Sequence, residues 1–124
     1  MTCLAAGADQ LFAQVILDCH GSFHVIVPCE KYAEAFDKSG GREYERLLPQ
    51  AASTEVLSRT PCSEGTYFAA GKHVVDVSEM MIAVWNGQTA AGLGGTADIV
   101  EYARSRGKPY AHVNPVKRET ICFP

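Results

Sequence analysis

Glycines crowd one stretch of the sequence, WNGQTAAGLGGTADIVEYA at residues 85–103, where they precede a pattern typical of a helix. Glycine loses more backbone freedom on folding than any other residue, so this density indicates either a tight turn or a close approach of a ligand. The first amides of a helix have no partner within the helix, and the helix dipole favours an anion there. We therefore expect Gly94, Gly95 and Thr96 to bind an anionic group, unless the glycines serve only the turn and Thr96 only caps the helix.

Carboxylates near the predicted helix starts are the residues that could do ionic or acid–base chemistry beside such an anion. Asp98 lies in the first turn of the helix after the glycines, and Glu64 lies near the start of the preceding helix. A carboxylate can stabilise positive charge that develops in a transition state, or it can act as a nucleophile. Both positions are also typical of carboxylates that only complement the helix dipole. Asp9 has two interpretations as well: it caps the first helix, or it accepts a hydrogen bond from the ligand.

The residues at the end of the most apolar run would border this site. MMIAVW at residues 80–85 is continuously apolar, which predicts a central strand of a parallel sheet. Trp85 could stack on a base, although a tryptophan at a strand end more commonly belongs to a core or an interface. Asn86 and Gly87 follow, at the edge where open α/β sheets bind ligands. Gly7 is expected to permit a close approach of the backbone near the first helix.

Helix and strand patterns alternate along the chain. Apolar spacing predicts the helices, and short runs rich in β-branched residues predict the strands. The predicted helices cover residues 7–21, 61–79 and 95–108, and the predicted strands cover residues 22–28, 53–59, 80–85 and 109–113. Residues 29–52 read as a crossover that Gly40 and Gly41 interrupt. The alternation predicts an α/β fold, a three-layer Rossmann-like parallel sheet with helices on both faces. We expect one domain over residues 1–113 and a C-terminal tail over residues 114–124.

Composition and charge narrow the classes of partner. The 124 residues are 47% apolar and 20% charged, which is typical of a globular domain and not of a disordered chain. A net charge of −3 counts against binding to a nucleic-acid backbone. No apolar run approaches the roughly 20 residues that a membrane-spanning helix needs. The expected partner is therefore a small molecule, not a membrane or a nucleic acid.

Cysteine spacing predicts the redox state and the location. The five cysteines include no CxxC pair, and no signal peptide precedes them. This usage indicates free thiols in the cytoplasm. The cysteines and histidines also lack the spacing of a zinc site, so we expect no metal and no other cofactor.

Three segments together resemble the SLOG superfamily: TCLAAGADQLFA at residues 2–13, DVSEMMIAVWNG at residues 76–87 and GLGGTADIVEYARSRGKPY at residues 92–110. This superfamily groups Rossmann-like domains of the DNA-processing protein Smf/DprA with the Lonely Guy phosphoribohydrolases. LAAGAD is similar to the SGLARGID of the DNA-processing proteins, and AVWNG with GGTADIVEYA is similar to uncharacterised bacterial members. The resemblance implies a nucleotide-derived ligand at the carboxyl edge of the sheet, with its phosphate on the GGT helix start and its ribose as the group that Asp9 would bind. A carboxylate beside that ribose could stabilise an oxocarbenium-like transition state or act as a nucleophile.

The hydrolase motif of that superfamily is only partly present. The phosphoribohydrolases carry PGGxGTxxE, whose Glu assists cleavage of an N-glycosidic bond beside an upstream Arg. Here Ile99 stands three residues after Thr96, where that Glu would be expected, and Asp98 is one residue early. Lys72 in AAGKHVVD is the best match for the upstream basic residue, and the resemblance implies that it contacts the phosphate. Asn86 stands where the similar bacterial sequences often have the aspartate of AVWDG. These departures from the hydrolase pattern count against hydrolysis and not against binding of a nucleotide.

The start of the sequence differs from that of the relatives. They usually begin with a strand that ends in a Gly-rich, GxTGHR-like turn, followed by a helix and then by a second strand that leads into the LAAGAD segment. This sequence begins inside the second of these strands, so we expect an N-terminally short version of the fold. Sheet strands without neighbours expose edges that favour association. A homo-oligomer is therefore expected.

Two functions follow from the residues and the resemblance. The preferred one is a sensor or ligand-binding module that binds a nucleotide or nucleotide-derived ligand through the GGT loop, because Asn86 and Ile99 depart from the hydrolase pattern. The alternative is an enzyme, a nucleoside-monophosphate phosphoribohydrolase of the Lonely Guy type that uses Asp98 and Glu64. DNA binding, by analogy with the DNA-processing proteins, is a weaker third interpretation because the net charge is −3.

Overall fold

The computed structural model describes residues 1–89 and 95–124, which form two compact units, Met1–Thr66 and Tyr67–Pro124. The strands are β1 (His24–Val27), β2 (Ser53–Val56), β3 (Met81–Val84), β4 (Tyr110–Asn114) and β5 (Glu119–Phe123). The helices are α1 (Ala8–Asp18), α2 (Lys38–Leu47), α3 (Glu64–Val77) and α4 (Thr96–Ser105), with short 3-10 helices at Tyr32–Ala35 and Leu48–Gln50. No helix in these ranges is long and apolar enough to span a membrane.

Strand β1 is the centre of the first unit. It pairs in parallel with β2, with His24 opposite Ser53, and Thr2 forms a parallel bridge to Val25 on its other side. Val25 and Ile26 are buried, whereas every residue of β2 is exposed. A strand buried between two neighbours takes the β-branched residues, and the edge strand takes the polar sequence STEV.

Helix α2 corrects the expectation that Gly40 and Gly41 interrupt the crossover, because both glycines lie inside this helix. Asp37 caps α2: its Oδ1 accepts a hydrogen bond from the Gly40 amide at 2.7 Å. Gly40 is buried, and a Cβ at this position would lie 3.0 Å from Ala6 Cβ. The glycine therefore lets the helix pack closely, and the cap compensates for its poor helix propensity.

Helix α1 presents a different face from the one that its apolar residues predict. The spacing of Leu11, Phe12, Val15 and Ile16 places them on one apolar face of the helix. Ile16 is partly buried, whereas the other three residues are exposed, Leu11 by 67%. Gln10 and Ala13 are the buried residues of this helix. The side-chain amide of Gln10 donates to the carbonyl of Gly40 at 3.0 Å, so a polar residue is satisfied where an apolar one was expected.

The second unit is built on a parallel strand–helix–strand segment. Strands β3 and β4 pair in parallel, with Met81 opposite Tyr110 and Val84 opposite Val113, and α4 connects them. The helical pattern of α4 predicts that Ile99, Val100 and Ala103 face inward. Val100 and Ala103 are confirmed as core, and Ile99 is partly buried against it. The buried residues of this core are Val75, Met81, Ala83, Val100, Ala103 and Tyr110.

Strand β5 gives this unit an antiparallel edge. Residues 119–123, for which no element was predicted, pair antiparallel with β4. The turn between the two strands is held by Asn114, whose Oδ1 accepts hydrogen bonds from the amides of Val116 and Lys117 at 3.0 and 3.1 Å. Arg118 completes the turn with a φ of 53°, which reverses the chain direction.

The predicted three-layer Rossmann-like parallel sheet is wrong. The structure is α/β, but β1 and β2 form a two-stranded parallel sheet, and β3, β4 and β5 form a separate three-stranded mixed sheet. Alternation of helices and strands indicates which consecutive strands run parallel, and it does so correctly for both pairs. It carries no information on whether the pairs share one ladder of hydrogen bonds, and it gives no signal for a C-terminal hairpin.

The expectation of five free thiols is also wrong. Cys29 and Cys62 form a disulfide across a sequence separation of 33 residues, while Cys3, Cys19 and Cys122 are free. Sequence spacing contains no signal for this pair, because the two cysteines become neighbours only when the carboxyl end of β1 meets the loop after β2. The predicted cytoplasmic location rested on free thiols and stays a prediction.

Candidate functional site

Three of the predicted residues directly follow the carboxyl end of β3, beside the end of β4: Trp85, Asn86 and Gly87. The Trp85 amide donates to the Val113 carbonyl at 2.9 Å and extends the parallel ladder by one residue beyond β3. Gly87 then turns the chain with a φ of +86°, a conformation that favours glycine. Within the described residues no atom lies within 4 Å of a Cβ at Gly87, so the turn is what requires glycine here, and its contact with a ligand stays a prediction.

Trp85 is paired with a histidine that the sequence did not single out. The rings of Trp85 and His112 lie with their centroids 5.1 Å apart and tilted by 34°. His112 Nε2 is 2.7 Å from the Trp85 carbonyl oxygen. A carbonyl can only accept, so Nε2 carries the proton and donates. The only sign of this pair in the sequence is that His112 lies in a predicted strand parallel to the one ending at Trp85.

The loop after Trp85 is held by hydrogen bonds of its own. The indole Nε1 donates to the Gln88 carbonyl at 2.7 Å, and the Gln88 amide donates to Asn86 Oδ1 at 3.0 Å. The Asn114 side chain donates to the Asn86 carbonyl at 3.5 Å. Asn86 therefore has a structural task in this turn, and Trp85 is fixed in orientation at the strand end while remaining partly exposed.

The start of α4 lies at the same end of the sheet, because a helix that connects two parallel strands runs back along them. Gly95 is the N-cap, in an extended conformation with φ −68° and ψ 171°, and it provides no side-chain hydrogen bond to the helix. Thr96 is thus the first helical residue, and the interpretation of Thr96 as the cap is wrong. Gly94 lies outside the described residues.

Asp98 and Ile99 occupy different environments at the first turn of α4. Their amides donate to the Gly95 carbonyl at 3.1 and 3.3 Å, and Asp98 is partly buried. Ile99 packs on α3 at Gly71, where a Cβ would lie 2.8 Å from Ile99 Cγ1. The position at which a hydrolase would carry Glu is therefore used here for helix packing.

Lys72 is placed against aromatic rings of the second unit. Its Nζ lies 4.6 Å from the centroid of Phe68 and 5.8 Å from that of Tyr102. Tyr102 is six residues beyond Thr96, which corresponds to roughly 9 Å of helix rise. Lys72 therefore contacts α4 at Tyr102, and its contact with a phosphate stays a prediction.

Tyr102 and Asp76 connect the same two helices. The Tyr102 hydroxyl donates to both carboxylate oxygens of Asp76, at 3.0 and 3.1 Å, and this hydrogen bond raises the pKa of Tyr102. Arg106 Nε lies 3.7 Å from Asp76 Oδ1. This group fixes α3 against α4 and was not predicted.

The remaining predicted residues lie in the first unit. Asp9 is used structurally: its Oδ2 accepts from the Thr2 hydroxyl at 2.9 Å and from the Ala5 amide at 3.3 Å. Gly7, and not Asp9, is the N-cap of α1. Gly7 has a φ of +92°, and no atom of residues 1–89 or 95–124 lies within 4 Å of a Cβ there, so its backbone conformation and not a close approach of these residues requires glycine. Glu64 is exposed at the first residue of α3.

Cys3 is partly buried, and its thiol is affected by the charge of Asp9. Burial, followed by the negative charge of Asp9, raises the pKa of Cys3 to about 12. A thiol needs its ionised form to act as a nucleophile, so Cys3 is inert near neutral pH. Among the residues that the structure describes, no group of three or more His, Cys, Asp or Glu could hold a metal ion.

Comparisons with known proteins add no further constraint on the site. No protein-family model matches this chain, and no curated protein matches it either.

Proposed function

We propose that the second unit binds a nucleotide or nucleotide-derived ligand, as a sensor or ligand-binding module. The phosphate would lie on the amides at the start of α4, and the base would lie beside Trp85. Membership of the SLOG superfamily and assembly into a homo-oligomer belong to the same proposal. They rest on the LAAGAD and GGTADIVEYA segments and on the sheet edges.

The observation that carries the proposal is the glycine cap of α4 beside the carboxyl end of a parallel strand. Gly95 leaves the first amides of α4 without a side-chain cap. A helix end of this kind attracts anions through its amides and its dipole. Trp85, partly exposed and oriented by its hydrogen bond to Gln88, supplies an aromatic surface at the same edge. Stacking of a base on such a surface is worth roughly 1–3 kcal/mol.

Binding is favoured over hydrolysis by the packing of α4. Ile99 contacts α3 at Gly71, and Asn86 holds the Gln88 amide, so two positions of the hydrolase pattern have structural tasks. Asp98 remains the carboxylate nearest the Gly95 cap along the chain, and Glu64 belongs to the first unit. The ligand is therefore expected to remain intact.

Gly95→Asp tests this proposal with a matched control, Gly95→Asn. The φ of −68° accommodates either residue, and both side chains can cap the helix, so neither should weaken the fold. The aspartate places a negative charge on the amides that would bind phosphate. A hydrogen bond to a charged group is worth about 1.5–3 kcal/mol, so we expect Gly95→Asp to bind roughly ten- to a hundredfold more weakly than Gly95→Asn.

The measurement is isothermal titration with AMP, CMP, GMP, UMP and ADP-ribose, with melting temperatures recorded for each variant. Equal affinity of the two variants for every ligand that the parent protein binds would refute the site at Gly95. No binding of any of these ligands to the parent protein would refute the proposed function. Chromatography of the same samples detects released base, which would instead indicate the phosphoribohydrolase.

A further inference from the structure

The Cys29–Cys62 disulfide of the first unit lies in a locally rigid setting. Cys29 follows β1 and the buried Pro28, and Cys62 follows an isolated parallel bridge between Glu30 and Pro61. The Glu30 amide donates to the Thr60 carbonyl at 2.9 Å. The loop that carries Cys62 is therefore attached to the end of β1 by backbone hydrogen bonding as well as by the disulfide.

The two sulfur atoms differ in access. Cys29 is 1% exposed, whereas Cys62 is partly exposed and lines a cavity of about 450 Å³. The other lining residues are Glu30, Lys31, Glu34, Ala35 and Pro61. Thiol–disulfide exchange depends on which sulfur a thiolate can reach. The cavity therefore directs an incoming thiolate to Cys62 and makes Cys29 the departing sulfur.

We propose that Cys62 is a thiolation site, at which a small aliphatic aminothiol opens the disulfide by exchange. The aminothiolate attacks Cys62 Sγ, a new bond forms between the two sulfurs, and the Cys29–Cys62 bond breaks. The electron pair of the broken bond leaves on Cys29 Sγ, which takes up one proton. The incoming thiol is thereby oxidised to a mixed disulfide on Cys62, and Cys29 is reduced to a buried thiol.

A second thiol of the same class completes the reduction of the pair. It attacks the small-molecule sulfur of the mixed disulfide, releases a disulfide of two aminothiols and leaves Cys62 as a thiol after protonation. The Glu30 carbonyl oxygen lies 3.4 Å from Cys62 Sγ, within reach of that new S–H donor. Since the loop is also held by the Glu30–Thr60 hydrogen bond, we expect Cys62 to stay beside the cavity as the disulfide, as the mixed disulfide and as the free thiol.

The charges of the lining select the class of thiol. Glu30 and Glu34 carry negative charges and Lys31 a positive one, so the cavity has a net charge of −1. A thiol with an ammonium group is attracted to this lining, and a thiol with a carboxylate is repelled. Interactions between exposed charges are modest, and we expect a preference of roughly two- to fivefold in rate.

The first experiment maps the adduct on the intact chain. Air-oxidised protein is incubated with cysteamine, quenched with acid and digested with trypsin without reduction. Residues 60–72 form one tryptic peptide in which Cys62 is the single cysteine. We expect cysteamine on this peptide in roughly tenfold or greater excess over Cys29, located by fragmentation. An adduct on Cys29 in equal or greater amount overturns the proposal, and so does oxidised protein in which both cysteines are alkylated without reduction.

Matched single variants test access independently. Cys29→Ser leaves Cys62 as a free thiol, and Cys62→Ser leaves Cys29 as one. With cystamine, Cys62 is expected to react roughly tenfold or more faster than Cys29. If circular dichroism shows that either variant is unfolded, reduced parent protein is treated with cystamine instead, and the rates at which Cys62 and Cys29 acquire cysteamine are compared on their separate tryptic peptides. Equal rates or a faster Cys29 contradict the assignment.

The class of thiol is tested by comparing cysteamine with 3-mercaptopropionate. Each rate is divided by the rate of the same thiol with a neutral small-molecule disulfide, which removes its intrinsic nucleophilicity. The double variant Glu30→Gln, Glu34→Gln keeps only the positive charge of Lys31 in the lining, so the preference for cysteamine should be lost and turn towards 3-mercaptopropionate. Equal normalised rates with the parent protein, or a preference that survives in the double variant, overturn the proposed ligand class.

Discussion

Gly71 is the residue whose replacement tests the packing of α4 most directly. A Cβ at Gly71 would clash with Ile99 Cδ1 and lie 2.8 Å from Ile99 Cγ1. Two carbon atoms attract each other at about 3.5–4.0 Å, so this distance is strongly repulsive. In Gly71→Ala the Ile99 side chain, or the helix that carries it, must therefore move.

The size of the effect follows from two opposing contributions. Overpacking costs about 1–3 kcal/mol, whereas replacing glycine by alanine inside a helix stabilises it by about 1 kcal/mol. We expect Gly71→Ala to lower the free energy of unfolding by roughly 0–2 kcal/mol. In an Ile99→Ala background the clashing atoms are absent, so the same change should instead stabilise the protein by about 1 kcal/mol.

A double-mutant cycle measures this change of sign. Urea unfolding of the parent, both single variants and the double variant gives a coupling free energy between the two positions, expected to be about 1–3 kcal/mol. Trp85, the single tryptophan, reports on the second unit through its fluorescence. If Gly71→Ala changes the free energy of unfolding equally in the parent and in the Ile99→Ala background, α3 and α4 do not pack at these two residues. Helix packing would then no longer explain why Ile99 stands where the hydrolase motif has Glu.

Two further predictions concern the first unit. Asp37→Ala should lower the free energy of unfolding by about 1 kcal/mol because the cap of Gly40 is lost, while Asp37→Asn should retain most of it; equal losses in urea unfolding would contradict the cap. Because the pKa of Cys3 is raised from 9.0 to about 12, the unfolded chain ionises first as the pH rises. The contribution of Cys3 to the free energy of unfolding is thus complete below pH 9.0 and declines as the pH rises towards 12. Cys3→Ser should therefore flatten the alkaline part of a plot of the urea midpoint against pH.

The segment around the candidate site was the most predictable part of the fold. MMIAVW is apolar throughout and the pattern from Gly95 onward is helical, so β3 and α4 appear within one to three residues of their predicted bounds. Both signals are local, and both report burial directly. The pairing of Trp85 with His112 depends on the register of β3 against β4, which local patterns do not specify.

Long-range geometry is what the sequence could not provide. Gly40 was interpreted as a helix breaker because glycine has low helix propensity, but its close contact with Ala6 and the Asp37 cap outweigh that cost. The apolar α1 stripe that ends at Ile16 has the periodicity of a buried face, yet Leu11, Phe12 and Val15 are exposed and only Ile16 is partly buried. Periodicity shows which residues share a face, and only the contacts of the folded chain decide which face is covered.

Asp98→Asn separates the proposed binding function from hydrolysis. A carboxylate in the first turn of α4 competes with a bound phosphate for the same positive helix end, and each such interaction is worth about 0.3–1 kcal/mol. If the unit only binds its ligand, removing this charge should leave affinity for a nucleoside monophosphate unchanged or tighten it by up to about fivefold. If Asp98 assists cleavage, base release measured by chromatography should fall sharply while the titrated affinity is kept. Affinity that weakens by roughly tenfold or more would show that Asp98 contacts the ligand itself, because the loss of a competing negative charge cannot weaken the binding of an anion.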